Sequence, residues 1–329
     1  MIDDAREVGV YESRREGSCL ACGSDHFEHW ADATDVEYFT TERCYSYYRC
    51  RDCDCLWIDP VPLDALDKIY PSNYYSYSEA SLSVIATVKN VLDRRFFRSH
   101  LGDTGGASLR LLDVGGGSGL SLNLAREADS RVTDTVIVDL DAGAQSVAEK
   151  NGHTFFHGRI EDYETSDTFD CIFLLNLIEH VANPGDVLRK VGRLLKPGGK
   201  LLIKTPNWRS YDQFLFRHDS WGGFHCPRHW VLFTLPGFRT FANACGLDVV
   251  SAQYTQGAPF WAVSVLDSLR KRGLVSIGPD RPACEHPLFG VLCGVFACVD
   301  LLRKPFAHPS QMFFILRRKP SGRRPLTPV

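Results

Sequence analysis

Leu109-Arg-Leu-Leu-Asp-Val-Gly-Gly-Gly-Ser-Gly119 is a short apolar run that ends on an acid and three alternating glycines. An apolar run of this length reads as a buried strand, and the glycines that follow make a sharp turn into a helix start. Gly115, Gly117 and Gly119 let backbone approach a ligand closely, because a Cβ would fill the space the ligand needs. A nucleoside suits such a turn. The dinucleotide fingerprint would place a third glycine at position 120, which is Leu120 here, so a pyrophosphate is not the expected guest.

Downstream, apolar strand-like runs alternate with helical patterns. Strands are expected at 109–114, 135–138, 154–156, 169–175, 200–205, 247–255 and 312–316, with helices near 118–128, 142–151, 185–195 and 236–245. This alternation predicts an α/β fold with a mostly parallel sheet and helices on both faces. Ligands in such sheets sit outside the carboxyl ends of the strands. Asp139 closes the second strand, 20 residues after Gly119, where a carboxylate can accept hydrogen bonds from both ribose hydroxyls. Asp113 and Asp139 then mark the two ends of one nucleoside.

The spacing Asp113-x-Gly115-x-Gly117-x-Gly119 resembles the first motif of class I S-adenosylmethionine-dependent methyltransferases. Phe169-Asp-Cys-Ile-Phe-Leu-Leu-Asn-Leu-Ile-Glu-His-Val-Ala-Asn-Pro184 is similar to the fourth strand and loop of small-molecule methyltransferases of quinone biosynthesis and sugar modification. Leu194-Leu-Lys-Pro-Gly-Gly-Lys-Leu-Leu-Ile-Lys-Thr-Pro-Asn207 resembles the helix end, glycine turn and fifth strand that follow. The resemblance covers about residues 105–255 and rests on four motifs in order. It implies a Rossmann-like seven-stranded sheet with its last strand antiparallel. It also implies S-adenosylmethionine as cofactor, held by Asp113, Gly115, Gly117, Gly119, Asp139 and Asn176. In the segment Gly158-Arg-Ile-Glu-Asp-Tyr163, Arg159 departs from the family's commonest form, and Ile160 is the substitute expected against the adenine, with Glu161 or Asp162 nearby.

Methyl transfer from a sulfonium is an in-line displacement that demands alignment and exclusion of water before any strong acid or base. Histidine is the side chain suited to a base near neutral pH. His180, in the loop after the fourth strand, is the first candidate for base or substrate orienter, with backbone capping as its structural alternative. Asn176 and Glu179 share that loop and either position substrate or cap the next helix. Asp219-Ser-Trp-Gly-Gly-Phe-His-Cys-Pro-Arg-His-Trp230 interrupts the pattern and resembles a Pro-Arg-His segment of methyltransferases from bacterial polysaccharide clusters. His225 and His229 are therefore further catalytic candidates. Arg228 is either a substrate-side residue or a tie between loop and core. Thr234 reads as the cap of the next helix, with Pro236 in its first turn.

Six of the twelve cysteines lie between Cys19 and Cys55. Cys19-Leu-Ala-Cys22 and Cys50-Arg-Asp-Cys53 form two Cys-x-x-Cys pairs, which read as a structural four-thiolate zinc site rather than disulfides. The alternatives are a bare hairpin that has lost its metal, and substitute ligands among Cys44, Cys55, His26 and His29. The expected organisation is a zinc-ribbon-like module over 1–75, a linker helix over 76–104 and a methyltransferase domain over 105–319. That domain carries insertions at 207–233 and 258–310, and 320–329 form a tail. The tyrosine-rich segment 70–77 either seals a domain junction or contacts a polar substrate.

A net charge of −3 gives no bulk attraction to nucleic-acid backbones, so DNA is not expected as a partner and RNA is disfavoured. The charged N-terminus lacks the apolar core of a signal peptide, which fits a reducing, cytoplasmic setting. Leu288–Val299 is an apolar run too short to span a bilayer. A buried helix is the first expectation for it. An interfacial helix near lipid headgroups, with Arg303 and Lys304, is the second, and it suits peripheral contact with a membrane. Together these features predict a methyltransferase acting on a small-molecule, sugar or lipid-linked glycan acceptor. The alternatives are an RNA methyltransferase with a zinc module and a non-catalytic scaffold with a methyltransferase-like fold.

Overall fold

In the computed structural model, residues 17–71, 84–217 and 221–319 are described, the side chains of 84–89 excepted. The predicted termini, residues 72–77 of the tyrosine-rich segment and residues 219–220 lie outside the described residues.

The large sheet is built from β4 (Leu109–Val114), β5 (Val132–Asp139), β6 (Thr154–His157), β7 (Phe169–Leu175), β8 (Leu195–Pro206), β10 (Leu247–Thr255) and β11 (Gln311–Arg318). Its strand order is β10-β11-β8-β7-β4-β5-β6. β11 runs antiparallel to both neighbours, and the pairs from β8 to β6 are parallel, as expected from the sequence. Side-chain alternation sends successive residues to opposite faces. Leu112, Ile172 and Leu201 join one apolar cluster, while Leu111, Phe173 and Leu202 join another.

Helices cover both faces: α2 (Val84–Leu101), α3 (Leu120–Ala128), α4 (Ala142–Lys150), α5 (Pro184–Leu194) and α7 (Leu235–Ala244), after a short α1 (Leu66–Ile69). The Asp141 side chain caps α4, and Thr234 caps α7 by accepting from the Gly237 amide. Phe97 and Leu101 of α2 bury against the second cluster, which docks the linker helix beneath β4.

The N-terminal segment forms a second sheet from β1 (Phe27–Ala33), β2 (Tyr45–Cys50) and β3 (Leu56–Asp59). Its fourth strand is β9 (Val231–Leu232), from the segment inserted after the fifth strand of the large sheet. Leu56 pairs with Leu232 and Trp57 with Val231. Tyr47, Leu56 and Trp57 share one apolar cluster with Ile203, Phe233 and Phe314, so the N-terminal residues pack continuously with the core of the large sheet.

The C-terminal insertion contains α8 (Ala258–Lys271) and α9 (Pro287–Arg303), after a short α6 (Tyr211–Phe216). Here the first expectation fails: α9 is not a core helix. Val291 is 62% exposed, Leu302 75% and the following Phe306 89%, and only Asp300 of α9 is buried. The reason lies in what packs inward. Asp300 accepts from the Gly257 amide at 2.8 Å and from Trp261 Nε1 at 3.2 Å, so the polar residue faces α8 and the apolar stripe faces out. No helix among the described residues is long and apolar enough to cross a membrane.

Candidate active site and metal centre

The glycine turn connects the end of β4 to α3, with Gly115, Gly117 and Gly119 all at positive φ. A Cβ on Gly115 would stand 2.9 Å from Leu177 Cδ1, which brings the loop after β7 against the turn. A Cβ on Gly119 would collide with the His153 ring. His153, held by Thr135 at 2.8 Å and Asn123 at 3.1 Å, thus by itself requires a glycine at 119.

Asp113 lies buried under the turn. Burial first, and the nearby charge of Asp139 second, hold its carboxyl well above the usual range. Asp139 ends β5 and accepts from the Gly117 amide at 2.7 Å and the Asp141 amide at 2.8 Å. Burial raises its pKa too, against those backbone bonds. Two desolvated carboxyls at neighbouring strand ends repel each other, and a cationic guest relieves that repulsion. Ile160 is buried within the first apolar cluster, beyond the edge strand β6.

Asn176, just past β7, adopts a left-handed φ of 58°, tolerated by asparagine better than by most residues. Its amide donates to Lys204 O at 2.8 Å, and its side chain donates to Glu179 Oε1 at 3.2 Å. Glu179 is fully buried and accepts from Thr205 Oγ1 at 3.0 Å. Burial pushes its pKa up to about 7, moderated by these bonds.

His180, His225 and His229 come together. Ring centroids are 4.8 Å apart for His180 and His229, 4.8 Å for His225 and His229, and 6.0 Å for His180 and His225. His180 Nδ1 donates to Arg228 O at 3.0 Å and stands 3.1 Å from the Tyr70 hydroxyl. His229 Nδ1 donates to Gly223 O at 2.8 Å. Burial, then the neighbouring imidazole His225, pushes the His180 pKa down to about 3. Burial likewise holds His229 well below the usual range, so both rings are neutral. His225 Nδ1 lies 2.5 Å from Glu37 Oε2, a carboxylate supplied by the N-terminal segment.

Arg228 is no substrate-facing residue. It is 0% exposed, pairs with Asp35 Oδ2 at 2.8 Å and donates to Ile69 O at 2.5 Å. Its guanidinium also lies over the Tyr38 ring. Trp221 Nε1 donates to Asp212, and the Gly222 amide donates to Ser264, so the loop bearing the histidines is tied down at its start. Glu37, Asp35 and Tyr70 were not singled out for these roles in the sequence. Glu37 and Asp35 carry no local motif and Tyr70 only the tyrosine-rich composition of its segment, and their partners lie 188, 193 and 110 residues away.

The four cysteines Cys19, Cys22, Cys50 and Cys53 also converge, with all four Sγ atoms within 4.8 Å of one another. Cys19–Cys53 and Cys22–Cys50 are each 3.5 Å apart. A tetrahedral zinc with bonds of about 2.3 Å sets its sulfurs about 3.8 Å apart, so the donor set and spacing fit that ion. Each knuckle is closed by backbone: Gly23 N donates to Cys19 O, and Asp54 N to Cys50 O. A Cβ on Gly237 would stand 2.5 Å from Cys53 O, so the second knuckle rests on the start of α7. Cys55 is buried outside the group, while Cys44, His26 and His29 are at the surface.

Residues 88–252 match the profile of a family described as a methyltransferase domain. Ubiquinone biosynthesis O-methyltransferase from Caulobacter sp. (strain K31) is 33% identical over 123 residues, 34% of this chain and 47% of that one. The protein of that name from Nitrosococcus oceani is 33% identical over 137 residues, 39% and 54% respectively. The chain thus spans about half the length of these curated relatives. Among solved structures, a SAM dependent methyltransferase from Archaeoglobus fulgidus aligns over 70% of this chain and 94% of its own. Its identity is 16% and the TM-score 0.45. The profile takes in half of the chain, from the linker helix through the glycine turn to β10, and the strand order and the acid-glycine turn agree with it. The chain belongs to the class I S-adenosylmethionine-dependent methyltransferases.

Proposed function

We propose that the chain methylates a small-molecule acceptor, with a sugar or lipid-linked glycan as the favoured class, and that S-adenosylmethionine occupies the glycine turn. The observation that carries this reading is the three-imidazole cluster, which begins three residues beyond Leu177, the side chain that touches Gly115. The sulfonium supplies a methyl carbon already bonded to a good leaving group. What this chain adds is placement and proton management.

Asp113 and Asp139 receive the cationic and ribose portions, and Asn176 and Ile160 close the pocket. His225, oriented by Glu37, is the base that takes the acceptor's proton. His180 was the first candidate from its sequence position, but its depressed basicity suits a positioning role better. The four thiolates hold a structural zinc, which braces the β-sheet that delivers Glu37. A net charge of −3 favours a small or glycan acceptor over RNA. The outward stripe of α9 favours an acceptor presented at a lipid surface, with peripheral association from the cytoplasmic side.

Calorimetry with S-adenosylmethionine tests the cofactor assignment. Binding is expected, and Asp139→Ala is expected to weaken it at least about tenfold, the scale of one lost charge-assisted hydrogen-bond partner. Absence of binding, or binding undiminished in the variant, overturns it.

A further inference from the structure

Glu179, His180 and His229 each present one donor atom within 4.8 Å of the other two. We propose that these residues form a second metal site, separate from the thiolates, that takes a divalent ion of the zinc, cobalt, iron or manganese type through two imidazoles and one carboxylate.

The tautomers carry the argument. In the tautomer that satisfies Arg228 O and Gly223 O, each ring carries its proton on Nδ1, and the Tyr70 hydroxyl beside His180 Nδ1 takes the accepting role. Each Nε2 therefore bears its lone pair. Metal-ligating histidines are commonly held in this way, with the far nitrogen donating to a backbone carbonyl. The carboxylate is held likewise: Thr205 Oγ1 donates to one oxygen of Glu179 and Asn176 Nδ2 to the other.

Both anchors are local consequences of the fold. Glu179 and His180 are adjacent in the turn after β7, and the Trp230 amide donates to Glu179 O at 2.7 Å, which brings His229 alongside. Tetrahedral bonds of about 2.1 Å set donors about 3.4 Å apart, so closure on an ion draws the longest edge in by up to about 1.4 Å, within reach of side-chain rotation.

Two nitrogens and one carboxylate oxygen are a borderline donor set, which suits transition ions better than magnesium or calcium. Three protein ligands leave coordination positions open, the pattern of catalytic rather than structural sites. In the methyl-transfer reading, an acceptor oxygen would take such a position, where the ion would orient it and ease loss of its proton toward His225. That role rests on the methyl-transfer reading above, whereas ion binding itself does not.

The test uses the whole 329-residue chain, stripped with chelator and titrated with cobalt(II), read by elemental analysis and visible absorption. Two equivalents are expected: one with an intense thiolate-to-cobalt charge-transfer band, one with only weak visible bands. Glu179→Gln and His229→Gln should each bind one equivalent and keep the thiolate band, which also reports that the chain is folded. A single thiolate-bound equivalent in the wild-type protein overturns the proposal. So does a second equivalent that survives in both variants. Two equivalents without S-adenosylmethionine binding would leave the metal site standing and remove only the functional reading.

Discussion

Glu37 Oε2 lies 2.5 Å from His225 Nδ1, and the two residues are 188 positions apart. One belongs to the N-terminal segment before β2 and the other to the insertion before β9. The pair therefore exists only where the loop between β1 and β2 meets the loop before β9. A carboxylate that accepts from Nδ1 fixes the imidazole tautomer and steadies the imidazolium formed on proton uptake.

If His225 is the base, His225→Asn should lower methyl transfer about 10²–10⁴-fold, the range for a positioned general base. Glu37→Gln keeps the shape and should cost less, with S-adenosylmethionine affinity unchanged in both. Turnover with a metabolite extract as acceptor source, beside calorimetry of the cofactor, makes the check. Equal turnover in His225→Asn and wild type would remove it from the chemistry.

Arg228 and Asp35 form a fully buried ion pair. Burial alone would raise the Asp35 pKa, but the Arg228 charge and the hydrogen bonds from Arg228, Tyr38 and Thr40 outweigh it and push it down to about 2. Arg228→Met should strand the carboxylate and destabilise the fold by about 3–5 kcal/mol, and the double variant Asp35→Leu with Arg228→Met should recover part of that loss. A depressed carboxylate pKa stabilises the folded state above the unfolded value near about 4 and loses that contribution as pH falls toward the folded value. Denaturant unfolding between those two pH values should therefore show a decline that the double variant lacks.

Removal of the four-thiolate metal should be felt beyond the knuckles. Trp208 Nε1 donates to Asp54 O at 2.8 Å, directly after Cys53, and Trp57 packs in the same cluster as Cys50 and Cys55. Cys22→Ser, or chelator treatment, should lower Tm and shift tryptophan fluorescence together. A metal-free protein with unchanged Tm and emission would show that the knuckles hold without an ion.

The stripe on α9 should bind membranes if it serves a lipid-linked acceptor. Val291→Asp with Val295→Asp is expected to reduce co-sedimentation with anionic vesicles at least about tenfold and leave S-adenosylmethionine binding intact, because each charge opposes burial of apolar surface. Wild-type protein that stays in the supernatant at low salt would refute the lipid reading.

The large sheet was legible because its signals are local. Leu109–Val114, Phe169–Leu175 and Leu247–Thr255 run over the spans that their apolar pattern marks out. The site was legible in part: His180, His225 and His229 stand out as histidines in loops after strands, and the structure brings their rings together. Their acidic neighbours Glu37 and Asp35 did not stand out, because a long-range partner leaves no periodicity in sequence, whereas Tyr70 lies at the start of the tyrosine-rich segment and meets His180. Leu288–Val299 misled for a different reason. An apolar run gives length and hydropathy, yet the direction it faces is decided by Asp300 anchored on α8 together with Phe296 stacked on Trp261 and Phe289 and Leu292 packed inward.

The pairing of β3 with β9 also governs how the chain is made. A ribosome releases β1, β2 and β3 long before Val231 and Leu232, so the outer edge of β3 waits unpaired while most of the large sheet is synthesised. A nascent chain halted before β9 carries Trp57 and Ile58 on a strand whose outer edge is open. Completion of the small sheet is therefore a late event in folding, and it can occur only after the loop bearing His225 and His229 has arrived in place.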